Sequence, residues 1–255
     1  GVLLGLGLWL LVKEPPRGRF DTGAEDSRAP SRPLEAFQVM LATPSLMLLT
    51  LGAACTSFTG YAMYQWVPSF LQRAQGLELE AVGNFLSPIF ALGVLGALAG
   101  GWLSDRLGKT RPAAYALVPA AALIIAAPLF LAALITRDGA ASLWLLALPT
   151  LLSYVWIGPT LAAGQTLVRP QVRASIAAIM AFFNNLIGFG LGPLLVGVVS
   201  DSLQAGGAAP GEALRAGLMT AVGGYILAVI FFVAPAAFIK ADLQRRGERR
   251  APPPA

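Results

Sequence analysis

Six stretches of the 255-residue chain contain no Asp, Glu, Lys or Arg: residues 37–72, 81–104, 112–136, 139–168, 174–200 and 216–239. The shortest has 24 residues, about 36 Å of helix at ~1.5 Å per residue, against a hydrocarbon core of roughly 30 Å. Each can therefore cross a bilayer. Gly and Pro occur inside these stretches as well as between them, which lipid-embedded helices tolerate better than soluble ones. Charged residues make up only 12% of the chain, against roughly 25% in a soluble domain. The expected fold is all-α: a polytopic membrane protein built as a six-transmembrane-helix bundle.

The Lys and Arg residues in alternate gaps give the orientation. Lys13, Arg17, Arg19, Arg28, Arg32, Arg106, Lys109, Arg111, Arg169, Arg173, Lys240, Arg245, Arg246, Arg249 and Arg250 fall on one side, and only Arg73, Arg137 and Arg215 on the other. A bias of 15 to 3 assigns both ends of the chain to the cytoplasm by the positive-inside rule. Residues 1–12 are apolar but too few to span, and read as the end of a severed helix. Residues 13–36, with Pro15, Pro16, Pro30 and Pro33 among mixed charges, read as a cytoplasmic linker to a bundle over residues 37–240. Residues 241–255 form a basic tail closing on three prolines. It reads as a disordered end near anionic headgroups, or as ordinary positive-inside charge.

Function is narrowed by what is missing. Zero His and the single Cys55 exclude disulfides within the chain, His-Cys metal cages and an imidazole base. No cofactor and no metal are expected. A net charge of +5 is the topology signal of a membrane protein, so no nucleic-acid partner is expected. All 13 Asp and Glu residues lie outside the charge-free stretches, so a proton carrier would have to sit in another part of a larger protein. A membrane enzyme would need a base or carboxylate cluster near the surface, and the chain offers neither.

A shift of 96 residues lays Gly96 on Gly192, Gly101 on Gly197, Ser104 on Ser200, Asp105 on Asp201 and Leu107 on Leu203. Each copy closes the second helix of a three-helix group, one ending in the cytoplasm and the other outside. That is an inverted three-plus-three repeat, a common build of secondary transporters. Gly96-x-x-x-Gly100 and Ala97-x-x-x-Gly101 lay small residues along one helix face, which serves static packing and sliding alike. Gly188, Gly190 and Gly192-Pro193 carry the same ambiguity, with a possible kink at the proline.

After the second stretch stands Gly101-Trp-Leu-Ser-Asp105-Arg106-Leu-Gly108-Lys109-Thr-Arg111. Here a packed helix gives way to a basic turn. Gly108 is expected to supply the freedom to reverse the chain, and Asp105 to end the helix and pair with a cation or a helix N-terminus. The string resembles the signature loop of the major facilitator superfamily, Gly-x-x-x-Asp-Arg-x-Gly followed by basic residues, with Thr110 departing where a second consecutive basic residue is usual. Three further strings resemble the spinster-type lipid transporters of that superfamily. They are Lys13-Glu14-Pro15-Pro16-Arg17-Gly18, Trp66-Val67-Pro68-Ser69-Phe70-Leu71-Gln72-Arg73, and Arg173-Ala174-Ser175 with the glycines that follow.

The resemblance implies the C-terminal half of such a transporter, helices seven to twelve, whose partner is a missing N-terminal six-helix bundle. It implies a gating role for Gly101, Asp105, Arg106, Gly108, Lys109, Arg111 and Arg173. It implies a sphingolipid- or lysophospholipid-like cargo.

Polar side chains inside spans are costly unless they face protein or water, so they point to a cavity. Thr56, Ser57, Thr59, Tyr61, Tyr64, Gln65 and Trp66 lie in the first stretch, Ser153, Tyr154, Trp156 and Thr160 in the fourth, and Phe182, Phe183, Asn184 and Asn185 in the fifth. Ser and Thr often bond within their own helix. Tyr61, Gln65, Asn184 and Asn185 are therefore the substrate-binding candidates, because an amide is expected to need a partner outside its helix. Aromatics beside amides suit a small or amphipathic cargo, though core packing explains them equally well. The leading expectation is a secondary active transporter in a bacterial inner membrane. A transporter-fold sensor is the alternative.

Overall fold

A computed structural model describes residues 2–11 and 33–248. Eleven α-helices run through them, with no strand among the described residues: α1 Val2–Leu11, α2 Pro33–Leu41, α3 Pro44–Gln75, α4 Leu79–Gly108, α5 Ala114–Ile135, α6 Gly139–Ser153, α7 Ile157–Leu167, α8 Arg173–Phe183, α9 Gly192–Ala205, α10 Pro210–Val233 and α11 Ile239–Glu248. A π-helical segment, Asn184–Leu191, joins α8 to α9. Six crossings are long and apolar enough to span, beginning at Pro44, Leu79, Ala114, Gly139, Pro170 and Pro210. The protein is an integral, multi-pass membrane protein.

The first charge-free stretch is not one helix. Pro44 has no N–H and pushes Thr43 out of the α region, to φ −119° and ψ 89°, so α2 stops at Leu41 and α3 starts afresh. α2 straddles the boundary expected between linker and bundle, and the rest of that linker, to residue 32, lies outside the described residues. At its far end α3 stops at Gly76, whose φ of 68° is open to glycine and whose N–H returns to the Leu71 and Gln72 carbonyls. α6 is started by Asp138, whose Oδ1 accepts from the N–H groups of Ala140 and Ala141 at 2.9 and 3.1 Å.

The tail expectation is corrected over its first eight residues. Residues 241–248 belong to α11, and Asp242, 7% exposed, accepts through Oδ2 from the Ser45 backbone N–H at 3.1 Å. Its carboxylate thus satisfies one of the free donors at the start of α3 and sits at the positive end of that helix, which holds α11 against the bundle. Residues 249–255 lie outside the described residues.

The repeat is visible in the packing. α3 lies on α10 as α6 lies on α5, α3 crosses the π segment and α9 as α6 and α7 cross α4, and α5 meets α10 between them. Exchanging the two three-helix groups maps each pair onto another. At the centre of each crossing a glycine removes the side chain that would separate two backbones: Gly96 meets the Leu151 carbonyl, and its repeat mate Gly192 meets that of Phe58. A methyl group at either place would strike main chain.

The two sets of loops gather at opposite ends. Gln75 donates through Nε2 to the Thr136 carbonyl at 2.6 Å, Gly139 sits against Leu77, and Gly211 against Arg73 and Ala74. That end holds Arg215, only 8% exposed, whose Nη1 is 2.6 Å from Glu212 Oε1 and whose guanidinium lies 5.6 Å from the Phe70 ring centre. A cation on the charge-poor end is tolerated because it is paired and stacked. At the basic end Arg169 reaches Glu35 at 3.4 Å.

Candidate functional site

A cleft of about 360 Å³ opens between α3, the α6–α7 junction and the start of the π segment. Helical spacing brings Thr56, Gly60 and Tyr64 to one face of α3, with Ser57 and Tyr61 beside them. The opposite wall comes from a broken helix: α6 ends at Ser153, residues 154–156 form a turn, and Gly158-Pro159 open α7. The turn sets Tyr154 and Trp156 on the cleft. Tyr154 is seated because Gly93 of α4 leaves room for its ring: a Cβ there would lie 2.7 Å from Tyr154 Cδ2.

The third wall is the π segment. Gly188 and Gly192 press it onto α3, where a Cβ on Gly188 would be 2.6 Å from that of Ser57. Pro193, lacking an N–H, cannot continue the α-pattern of bonds, and a wider turn absorbs the misfit. Trp66 donates through Nε1 to the Pro193 carbonyl at 2.9 Å, and Tyr61 meets Phe189 edge-to-face at 5.4 Å.

Three of the four substrate-binding candidates line the cleft: Tyr61, Asn184 and Asn185. Gln65 does not; it lies one turn further along α3, exposed. The two amides differ. Asn184 has its Oδ1 buried without a hydrogen-bond partner, whereas Asn185 donates through Nδ2 to the Ala181 carbonyl at 2.8 Å. The expectation that an amide needs a partner outside its own helix therefore fails for Asn185, whose side chain bonds four residues back. Thr56 and Thr160 do the same, to Gly52 and Trp156. Phe182 and Phe183 lie elsewhere, in a hollow with Phe37 and Ile179. No charged side chain among the described residues lines the cleft, so its walls offer aromatic faces, hydroxyls and amides.

The signature loop is arranged differently from the sequence expectation. α4 runs past Asp105 to Gly108, so Asp105 does not end the helix. Its Oδ1 accepts from the Tyr115 hydroxyl at 2.9 Å, and among the described residues it pairs with no cation. Gly108 has no left-handed backbone, since only Gly76 and Gly207 have positive φ among the described residues. It is small because the Tyr115 ring lies on it: a Cβ would be 2.6 Å from Cε2. Arg106 stacks on Trp102 at 5.5 Å, while Lys109 and Arg111 are exposed. Gly101 faces Gly158, where a Cβ on Gly158 would be 2.8 Å from the Gly101 Cα. Arg173 donates through Nε to the Gln165 carbonyl at 3.1 Å, tying α7 to α8. Sequence reasoning missed Tyr115, and an isolated tyrosine ten residues from an aspartate carries no signal by which to find it.

Comparison with known proteins agrees with this architecture. The family model of the Major Facilitator Superfamily matches residues 1–193. An MFS-type efflux pump of Mycolicibacterium smegmatis is 33% identical over 78% of the chain and 46% of its own length. Protein spinster homolog 1 of Xenopus tropicalis is 30% identical over 96% of the chain and 50% of its own length. Among solved structures, a bacterial homolog of the human lysosomal transporter spinster, inward-facing and unoccupied, covers 99% of the chain at a TM-score of 0.65 and 27% identity, over 58% of its own length. Its inward-facing, occupied form matches with a TM-score of 0.61. The chain spans about half the length of the curated relatives it matches. By its signature loop, its paired three-helix groups and these matches, the chain belongs to the Major Facilitator Superfamily, and within it is similar to the spinster homologs.

Proposed function

We propose that the chain is the C-terminal half of a secondary active transporter working by alternating access, and that the cleft is its contribution to the substrate site. The carrying observation is the cleft itself, at which a broken helix and a π segment meet a continuous one. Interrupted helices of this kind, lining a cavity between inverted repeats, are where transporters hold cargo. Tyr61, Asn184 and Asn185 contact the cargo, joined by Tyr64, Tyr154 and Trp156, and Gln65 acts from the rim. The unpartnered Asn184 oxygen is the acceptor that a cargo donor completes.

The cargo is a small or amphipathic, lipid-like molecule, whose polar part meets hydroxyls and amides while its apolar part runs along the aromatic faces. No enzymatic step is assigned to these residues. The N-terminal six-helix bundle of the same protein is the partner that closes the site, and the bilayer surrounds both. The 15 to 3 distribution of Lys and Arg supports a cytoplasmic placement for both ends, and the membrane proposed is a bacterial inner one. The loop of Gly101, Asp105, Arg106, Gly108, Lys109 and Arg111, with Arg173, then gates the cytoplasmic side. Asp105 is held in place by Tyr115 until it meets the partner bundle.

Coupling is assigned to the partner bundle, because Asp and Glu lie outside all six charge-free stretches. Liposomes containing only residues 1–255 are expected neither to accumulate a fluorescent single-chain phospholipid nor to dissipate a pH gradient. Cargo-dependent proton flux through them would contradict the half-transporter reading.

A further inference from the structure

A second concavity lies on the opposite side of α6 from the cleft. It is a trough of about 800 Å³ between α4 and α5, backed by α6. Ala99 of α4 and Ala121 of α5 leave its floor open, and Leu103, Leu107 and Leu117 form its walls. Along α5 the lining runs from Ala114 to Ile125, about 17 Å of helix at ~1.5 Å per residue. That is close to the depth of one leaflet, half of a hydrocarbon core of roughly 30 Å. The trough begins at Thr110 and Arg111.

The charged side chain lining that mouth is cationic. Arg111 is exposed and has no ion pair among the described residues. No carboxylate among the described residues lines the trough, and the nearby Asp105 accepts from the Tyr115 phenol. Lys109 stands beside the mouth in the same turn. An apolar channel of one-leaflet length with a free guanidinium at its headgroup end is complementary to an anionic phospholipid.

We propose that the trough holds an acyl chain of a resident anionic phospholipid, with its phosphate on the Arg111 guanidinium. This lipid is a bound component of the bundle and not the cargo, since its seat shares no lining residue with the cleft. By the orientation proposed above the trough opens in the cytoplasmic leaflet; the trough and its occupant do not depend on that orientation.

Native mass spectrometry of the purified chain with phosphatidylglycerol or phosphatidylcholine of the same acyl chains tests the assignment. Phosphatidylglycerol is expected to be retained preferentially, and Arg111→Gln to lower that preference about fivefold, the weight of one basic side chain at an anionic headgroup. Ala121→Phe fills the trough from an exposed position and should abolish retention of both lipids while leaving the circular dichroism unchanged. Ala99→Leu does the same from α4.

Equal retention of the two lipids by the wild type, or undiminished retention by both filling variants, overturns the proposal. So does a dimer that Ala121→Phe dissolves, which gives the trough to a second copy, or displacement of the lipid by inorganic phosphate alone. Labelling of Thr110→Cys by an impermeant thiol reagent, in a Cys55→Ala background, reads the side separately. Reaction from the cytoplasmic face is expected, and reaction only from the other face overturns the orientation and the leaflet together.

Discussion

The two three-helix groups share a packing plan but treat their helices differently. In the first, α3, α4 and α5 cross without interruption, although Pro68, Pro88, Pro119 and Pro128 lie inside them. In the second, the corresponding first crossing breaks between α6 and α7, and the second distorts into the π segment. Both interruptions carry a Gly-Pro pair, Gly158-Pro159 and Gly192-Pro193, while the tolerated prolines of the first group follow Val, Ser, Val and Ala. A proline alone removes one hydrogen bond. A glycine before it also lets a neighbouring backbone press in, against Gly101 at one site and Phe58 at the other. The first group thus supplies the continuous wall of α3, and the second the irregular walls on which Tyr154, Asn184 and Asn185 are displayed.

The largest effects should come from what the groups share. Gly96→Val and Gly192→Val each drive a side chain into a facing carbonyl, and each should cost about 3 kcal/mol or more, read as lost monodisperse yield in detergent. Gly223→Val, with open space at its Cβ, should stay within about 0.5 kcal/mol of the wild type. If only one of the first two variants is damaged, the groups are not packing equivalents.

Where the groups differ, Pro193→Ala should restore a backbone bond and raise the thermal midpoint by an amount corresponding to about 1 kcal/mol. It should also lower the thiol reactivity of a cysteine at position 184. Pro68→Ala should leave that reactivity alone, and equal responses would erase the distinction between continuous and irregular wall. Asn184→Leu removes an acceptor that is buried without a partner and should stabilise the protein by about 1 kcal/mol while weakening binding of a fluorescent single-chain phospholipid. Destabilisation, with binding unchanged, would make Asn184 a packing residue.

The smallest effect separates the two aspartates of the repeat. Asp105 accepts from Tyr115, but the same shift of 96 puts Gly211 where Tyr115 stands. Asp105→Asn and Tyr115→Phe should therefore couple by about 0.5 kcal/mol in a double-mutant cycle, and Asp201→Asn should be silent. A silent Asp105→Asn would remove the phenol from the account of the loop.

The spans, the repeat and the signature string were legible because hydropathy, charge position and glycine spacing are properties of the chain itself. Tyr61, Asn184 and Asn185 could be picked as cavity residues because an amide or phenol in lipid demands a reason. Other features depend on which surface a neighbour presents. Gly108 read as a hinge and is a seat for an aromatic ring, and Asn185 read as unsatisfied and bonds its own helix. The docking of α11 through Asp242 joins residues 197 positions apart, and no local pattern announces it. The break between α2 and α3, by contrast, is written in Pro44, although a charge-free stretch gives no sign of it.

The central claim is that α3, the α6–α7 junction and the π segment face a water-filled pathway. Single cysteines at positions 61, 154 and 184, in a Cys55→Ala background of the chain in proteoliposomes, test it against cysteines at Ile124, Trp144 and Ile226, exposed apolar positions of the bundle that do not line the cleft. The account predicts that a water-soluble methanethiosulfonate reagent modifies the first three and spares the second three, and that a single-chain phospholipid protects position 154. If the cleft positions stay as unreactive as the lipid-facing ones, the cleft is packed protein and the transport pathway lies elsewhere.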